Sequence, residues 1–344
     1  VEALDFAKDR DYFGLFMEPG TGKTKVGFEK SAELYLEGLI DTALVFAPNG
    51  VHSQWIQEQA PDHCPVPYRT VTWVSNRGKS WKDETRYVLR KRDALLIVAM
   101  NYEALTTKDG VNFCRWLLKN RRVLLIADES SRIRNPKAIR TKIALDIAPH
   151  AVVRTILTGT PIAKGLENLW SQMQFLSPDI LRCRTFVQFR SLYCKTAPVP
   201  GRRGAVMING YQRVGELMSL ISPHVFVKTK KECLDLPDKI YMKSPVPMTS
   251  EQARAYETMR EELLVQLSEL ERVTVAHLIS ARAKLRQISI GFILDQDRKA
   301  TAFSSNRWER ALEHLDEAPG KVILWSTFRW CLAEWEHLLY KKKI

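Results

Sequence analysis

The sequence predicts an α/β fold built on a parallel sheet. Short apolar runs recur, helix-like segments separate them, and Gly, Pro or Asp bounds them. The runs are Tyr12–Met17 and residues 43–47, 94–99, 123–127 and 152–157. Near-continuous apolar runs of this length suit parallel strands covered on both faces. Their alternation with helical segments suits crossover connections. The 344 residues are enough for about two domains. With 45% hydrophobic and 26% charged residues, the chain is excluded from the long-disordered and fibrous classes. No apolar run approaches the roughly 18 residues that would span a membrane.

The first run leads into Phe16-Met17-Glu18-Pro19-Gly20-Thr21-Gly22-Lys23-Thr24, and residues 25–35 follow as a helix candidate. A glycine-rich turn between strand and helix lets backbone N–H groups converge on phosphate oxygens. Gly20 and Gly22 leave that cradle unobstructed, and Thr21 lies between them. Lys23 is placed for the β/γ-phosphates of ATP and Thr24 for Mg2+. The strict GxxxxGK[ST] pattern would need glycine at Met17, so the match is to a shorter GxGKT variant. An ordinary glycine turn is the competing reading.

The fourth run ends in Asp128-Glu129. Strand C-termini gather on one edge of a parallel sheet, which brings Asp128 to the magnesium ion and Glu129 to the attacking water. Two acids capping the next helix would be the structural alternative.

Beyond residue 178 the strand-like runs thin out. Residues 250–271 and 276–294 read as helices, and Ser250-Glu251 reads as a helix start. A basic loop, Pro200-Gly201-Arg202-Arg203-Gly204, interrupts this stretch. Residues 305–315 then read as a helix and 322–325 as an apolar strand opening a second α/β domain.

Charge is uneven. Of a formal +13, residues 121–240 hold 20 basic and 9 acidic side chains, while residues 1–120 balance at 16 each. One surface facing a polyanion would account for that bias. The six cysteines form no CxxC pair, so no zinc ribbon or disulfide framework is expected and a reducing compartment fits. Val1 as the first residue and the abrupt end at Ile344 suggest a longer chain that has been trimmed.

On these residues the chain resembles helicase superfamily 2, and within it the Swi/Snf-type double-stranded DNA translocases. The resemblance runs through most of the chain. It covers the loop to Thr24, then Leu44-Val45-Phe46-Ala47-Pro48-Asn49 with Trp55, and Asn101-Tyr102-Glu103-Ala104-Leu105. It continues through Asp128-Glu129-Ser130-Ser131 and Leu157-Thr158-Gly159-Thr160-Pro161-Ile162, on to Asn168-Leu169-Trp170. Lys228, Lys230-Lys231 and Leu236-Pro237 resemble the inter-lobe linker. Leu285-Arg286-Gln287 and Lys321-Val322-Ile323-Leu324-Trp325-Ser326 resemble the approach to lobe two and its first strand.

The resemblance implies a RecA-like P-loop ATPase lobe over residues 1–177, a mainly helical insertion and linker over 178–304, and the start of a second RecA-like lobe over 305–344. It also implies a monomeric motor that uses ATP and Mg2+ to move on double-stranded DNA, with Thr158, Gly159 and Thr160 relaying the nucleotide state. Asn49, Ser53, Lys164, Arg202, Arg203, Lys228, Lys230 and Lys231 are the candidate phosphate-backbone contacts. Trp55, Trp170 and Trp308 are read as packing residues.

Two departures stand out. Ser130-Ser131 replace the family's Ala-His, so the histidine's link to the coupling motif is expected to be lost or made by Ser131. The adenine-reading glutamine would precede Val1 and the γ-phosphate arginines would follow Ile344, so weak turnover is expected of this chain alone. The alternatives are a strand-separating DNA or RNA helicase and a nucleotide-gated clamp. The implied setting is a bacterial or phage-infected cytoplasm, or the nucleus of a eukaryote.

Overall fold

The computed structural model describes residues 1–344 except 75–77, 200–205, 236, 270–274, 296, 298 and 343–344. For 264–269 and 275–278 it describes the backbone alone. The chain divides into two compact units, Val1–Pro237 and Asp238–Ile344.

The first unit is built on a seven-stranded, all-parallel sheet. Its strands are β1 (Tyr12–Met17), β2 (Thr42–Ala47), β3 (Tyr68–Thr72), β4 (Leu95–Asn101), β5 (Val123–Asp128) and β6 (Val153–Thr158). The hairpin β7 (Cys194–Pro198) and β8 (Val206–Tyr211) stands apart as its own antiparallel pair, and β9 (Val225–Lys228) is the seventh strand of the sheet. Their order is β3-β4-β2-β5-β6-β1-β9, and every neighbouring pair is parallel.

The five expected runs all lie in this sheet, within a residue or two of their expected ends. Alternation within each run feeds two separate cores. In β5, Val123, Leu125 and Ala127 join one hydrophobic cluster, while Leu124 and Ile126 join the other. In β4, Leu96, Val98 and Met100 go one way and Leu95, Ile97 and Ala99 the other. Burying such a Leu, Ile or Val side chain stabilises by about 1.5–3 kcal/mol, so strands packed on both faces must read as apolar throughout.

β3 and β9 were not expected. Both are edge strands, one short (Val-Phe-Val-Lys) and one polar (Tyr-Arg-Thr-Val-Thr), and each pairs on a single side. An edge strand needs fewer apolar residues, so its signal in sequence is weak. β9 returns to the first unit and pairs with β1 in register Gly14↔Val225 to Met17↔Lys228. The compact first unit therefore extends to Pro237, well past residue 177, and holds a hairpin and a strand as well as helices within 178–237.

The second unit carries the helices Ser250–Glu269, Val275–Ile290, Asn306–Asp316 and Arg329–Lys342, with a short antiparallel pair, β10 (Phe292–Leu294) and β11 (Ala300–Ala302). Thr249, rather than Ser250, caps the first helix. Its hydroxyl accepts from the Gln252 N–H at 3.2 Å while the Gln252 side chain accepts from the Thr249 N–H at 3.2 Å. Trp308 packs against Trp330 and Trp335, in agreement with a packing role.

Residues 322–325 form no strand. Ile323 is 77% exposed and Trp325 90%. A strand exists through its hydrogen-bonded neighbours, and among the described residues none lies alongside this segment. Among the described residues, no helix is long and apolar enough to cross a membrane.

Candidate functional site

Strand order dictates the site. β5, β6 and β1 are consecutive, so the residues following β6 lie between those following β5 and those following β1. In register, Phe16 faces Thr158 and Leu157 faces Asp128. Three stretches, the first more than a hundred residues before the other two in sequence, thus meet on the C-terminal edge of the sheet.

After β1 the chain turns through Gly20 (φ 86°) and Gly22 (φ 90°), conformations that a side chain would strain. Thr21 closes the turn by donating from its hydroxyl to the Glu18 carbonyl at 2.7 Å. The helix Lys23–Leu36 starts at once, with Thr24 half-buried in its first turn. A Cβ at Gly22 would meet no heavy atom within 4 Å, and one at Gly20 would meet only the Lys230 Cε, at 3.8 Å. The space over the loop is open. Lys23 is buried, and its ammonium donates to the Met17 carbonyl at 2.6 Å within the loop itself. Burial pulls the Lys23 pKa down, while Glu129 and Asp128 oppose that shift.

After β5, Asp128 is buried and held on both carboxylate oxygens. The Trp55 indole Nε1–H donates to Oδ2 at 2.8 Å and the Glu129 backbone N–H to Oδ1 at 3.0 Å. The buried Tyr102 hydroxyl donates to the Asp128 carbonyl at 2.7 Å. Burial raises the Asp128 pKa, against the lowering effect of the indole hydrogen bond. Glu129 adopts φ 48°, a left-handed conformation rare for a residue with a side chain.

After β6, the Thr158 hydroxyl reaches Glu129 Oε2 at 3.5 Å and accepts the Thr160 N–H at 3.1 Å. Gly159 presses on the loop after β1, where an added Cβ would stand 2.7 Å from Pro19 Cδ and 3.3 Å from the Met17 carbonyl. Only glycine permits that approach.

Ser130 supplies a link that the sequence did not reveal. Its buried hydroxyl donates to Gln172 Oε1 at 2.7 Å, and Gln172 Nε2 donates to the Pro161 and Asn168 carbonyls, each at 2.9 Å. A tie to the segment 157–162 therefore runs through Ser130, where the link was expected to be lost or made more weakly by Ser131. Gln172 lies on the helix Asn168–Leu176, and no local pattern marks it as a partner of Ser130.

The remaining candidates are dispersed. Asn49 is exposed after β2, and its side-chain oxygen accepts from Asn101 Nδ2 at 3.4 Å. Ser53 donates to the Gly50 carbonyl at 2.9 Å. Lys164 is exposed and lines a cleft of about 680 Å³ with Arg132, Arg134, Lys137 and Arg140. Those four further cations are already gathered in sequence over residues 132–140, and the fold sets Lys164 beside them.

Lys228 ends β9, and Lys230 and Lys231 follow it, on the far side of β5, β6 and β1 from Asn49 and Ser53. There Lys228 pairs with Glu2 at 2.9 Å, and the Lys230 N–H donates to Glu18 Oε2 at 2.6 Å beside the phosphate loop. Arg202 and Arg203 lie outside the described residues, as does Leu236.

The profile of the SNF2-related domain matches residues 15–290. The chain belongs to that family. It is thus of the Swi/Snf type within helicase superfamily 2. It is 30% identical over 258 residues to a helicase-like transcription factor of Oryctolagus cuniculus, covering 72% of this chain and 24% of that protein. It is 23% identical to a protein designated p41 from Acyrthosiphon pisum secondary endosymbiont phage 1, covering 95% of this chain and 69% of that one. Among solved structures, the Sulfolobus solfataricus SWI2/SNF2 ATPase core in complex with dsDNA matches with a TM-score of 0.51 at 24% identity. That match covers 92% of this chain and 62% of that one, so the SNF2 chain described here shares its α/β fold. The chain spans about a quarter of the length of the rabbit relative (24%).

Proposed function

We propose that this SNF2 chain supplies the ATP-binding lobe of an ATP-dependent translocase on double-stranded DNA. The observation that carries the reading is the convergence of loop 20–24, Asp128-Glu129 and Thr158–Thr160 on neighbouring strand ends, with Gly159 pressed against Pro19.

The open cradle at Gly20 and Gly22 fits a polyphosphate, and Lys23 exchanges its bond to Met17 for the β/γ-phosphates. The Thr24 hydroxyl and the Asp128 carboxylate are the oxygens for Mg2+, which bound there would neutralise charge developing on the phosphates. Among the described residues no three of His, Cys, Asp and Glu gather as a metal cage. One or two protein oxygens completed by phosphate and water is the usual magnesium arrangement. Glu129 orients the attacking water. Thr158 touches Glu129, Gly159 touches the phosphate loop, and Ser130 reaches Pro161 through Gln172, so a change at the phosphates is felt in the segment leading to Lys164.

The DNA reading draws on charge and fold. The Lys164 cleft is lined by five cations, which suits sequence-independent contact with phosphates. The archaeal core of the same fold was solved with dsDNA. Asn49 and Ser53 are proposed as further backbone contacts after β2. Lys230 is better placed for nucleotide phosphates than for DNA, since its Cε approaches the Gly20 position.

Titration with a fluorescent ATP analogue and Mg2+ tests the site. Lys23→Ala is expected to weaken binding about 10- to 100-fold, since losing a charge-assisted hydrogen bond costs roughly 1.5–3 kcal/mol. Equal affinity in wild type and variant would overturn the nucleotide assignment. Hydrolysis stimulated by duplex, but not by single-stranded DNA, is the outcome expected for translocation.

A further inference from the structure

We propose that Trp55 is a positioning residue that fixes the Asp128 carboxylate and joins the segment after β2 to the magnesium site. Trp55 is 2% exposed, and its Nε1–H donates to Asp128 Oδ2 at 2.8 Å. A buried indole N–H requires an acceptor and a buried carboxylate requires donors, so each satisfies the other. The Glu129 N–H takes Oδ1 at 3.0 Å, which leaves the carboxylate plane little freedom to rotate.

The rest of the ring is seated with equal care. A Cβ on Gly27 would lie 3.2 Å from Trp55 Cη2, and the Phe28 ring packs 5.0 Å from the indole centroid. Gly27 and Phe28 belong to the helix that begins at Lys23, so one side chain touches both the phosphate-loop helix and the carboxylate.

The backbone is shaped to deliver it. The helix Val51–Gln54 widens into a π turn over Trp55–Gln59 before resuming as Ala60–His63. Such wide turns re-aim side chains and recur at functional sites. The same short element carries the half-buried Ser53 near its start, just after the exposed Asn49 and Gly50. Movement of that start against a polyanion is transmitted through the indole to Asp128.

The inference rests on the magnesium reading of Asp128. Trp55→Phe retains an aromatic ring and removes the donor. In the full chain, the Mn2+ concentration that half-saturates nucleotide-dependent metal binding, read by electron paramagnetic resonance, is expected to rise about 10- to 100-fold, the usual cost of losing an outer-shell partner. Metal-free nucleotide binding is expected to stay near wild type, which a purely structural role for the ring would not allow, while the melting temperature falls modestly with the lost packing and the lost donor to the buried carboxylate. Should Trp55→Phe fail to fold, benzothienylalanine at position 55 keeps both rings without the N–H and carries the same expectation. An unchanged metal requirement in a folded variant overturns the proposal. Absence of metal-nucleotide binding in the wild type overturns the nucleotide reading and this inference with it, so the two failures are distinguishable.

Discussion

Val123–Asp128 and residues 321–326 both carry unbroken apolar runs, yet one is the buried centre of a sheet and the other is open to solvent. β5 has β2 on one side and β6 on the other, and every one of its residues is buried. The run at 321–326 has no strand beside it among the described residues, and Val322, Ile323 and Trp325 are all exposed. An apolar run supplies side chains for two cores, but the hydrogen bonds that make it a strand belong to its neighbours. The contrast extends to the units that contain them. The first is built on two broad clusters, whereas Ala281, Ile288, Phe292 and Cys331 are the buried apolar residues described in the second.

Paired aspartate substitutions put the largest strain on this comparison. Ile126→Asp places a carboxylate in a wholly buried layer and is expected to destabilise the first unit by about 4 kcal/mol or more. Ile323→Asp, at a site 77% exposed, is expected to stay within about 0.5 kcal/mol of wild type. Urea denaturation followed by circular dichroism measures both. Comparable losses would mean that 321–326 is packed as firmly as β5.

A smaller effect is expected from Ser130→Ala. It leaves the buried Gln172 oxygen without its donor, which costs about 1–3 kcal/mol. The same change should weaken the influence of nucleotide on protease cleavage near Lys164. An unaltered cleavage pattern would show that the Ser130–Gln172–Pro161 path carries no signal.

The mildest probe is thiol labelling at pH 8. Burial pushes the Cys114 thiol up to about 12 and the Cys194 thiol up to about 11, so both stay protonated and unreactive while the first unit is folded. Burial also raises Cys331, though its surroundings form a much smaller core. The exposed Cys233 should therefore react first, the half-buried Cys64 after it, then Cys331, and Cys114 with Cys194 last. Simultaneous labelling of Cys331 and Cys114 would indicate that the two units open together.

Much of the first unit was legible because local sequence and global burial agree there. Strands covered on both faces must be apolar throughout, and a phosphate loop must place glycines where φ is positive. Gly20, Gly22, Lys23, Thr24, Asp128 and Glu129, named from spacing, accordingly fall together on one edge of the sheet. β3 and β9 escaped notice because edge strands are short or polar. The bond from Trp55 to Asp128 and the path through Gln172 escaped because their members are far apart in the chain, and nothing local places the cations of residues 132–140 beside Lys164. Trp55 and Asp128 are separated by 73 positions and Ser130 and Gln172 by 42.

By itself, then, the sequence determined which residue types stand at the strand ends and the α/β character of the sheet, since both depend on residue type at short range. Tertiary structure decided which strand ends are neighbours, which serine reaches Pro161 through Gln172, and which lysines face the loop rather than the cleft. It also decided that one apolar run becomes a strand and another does not. Those outcomes depend on hydrogen bonds and contacts between distant segments, which no local pattern encodes.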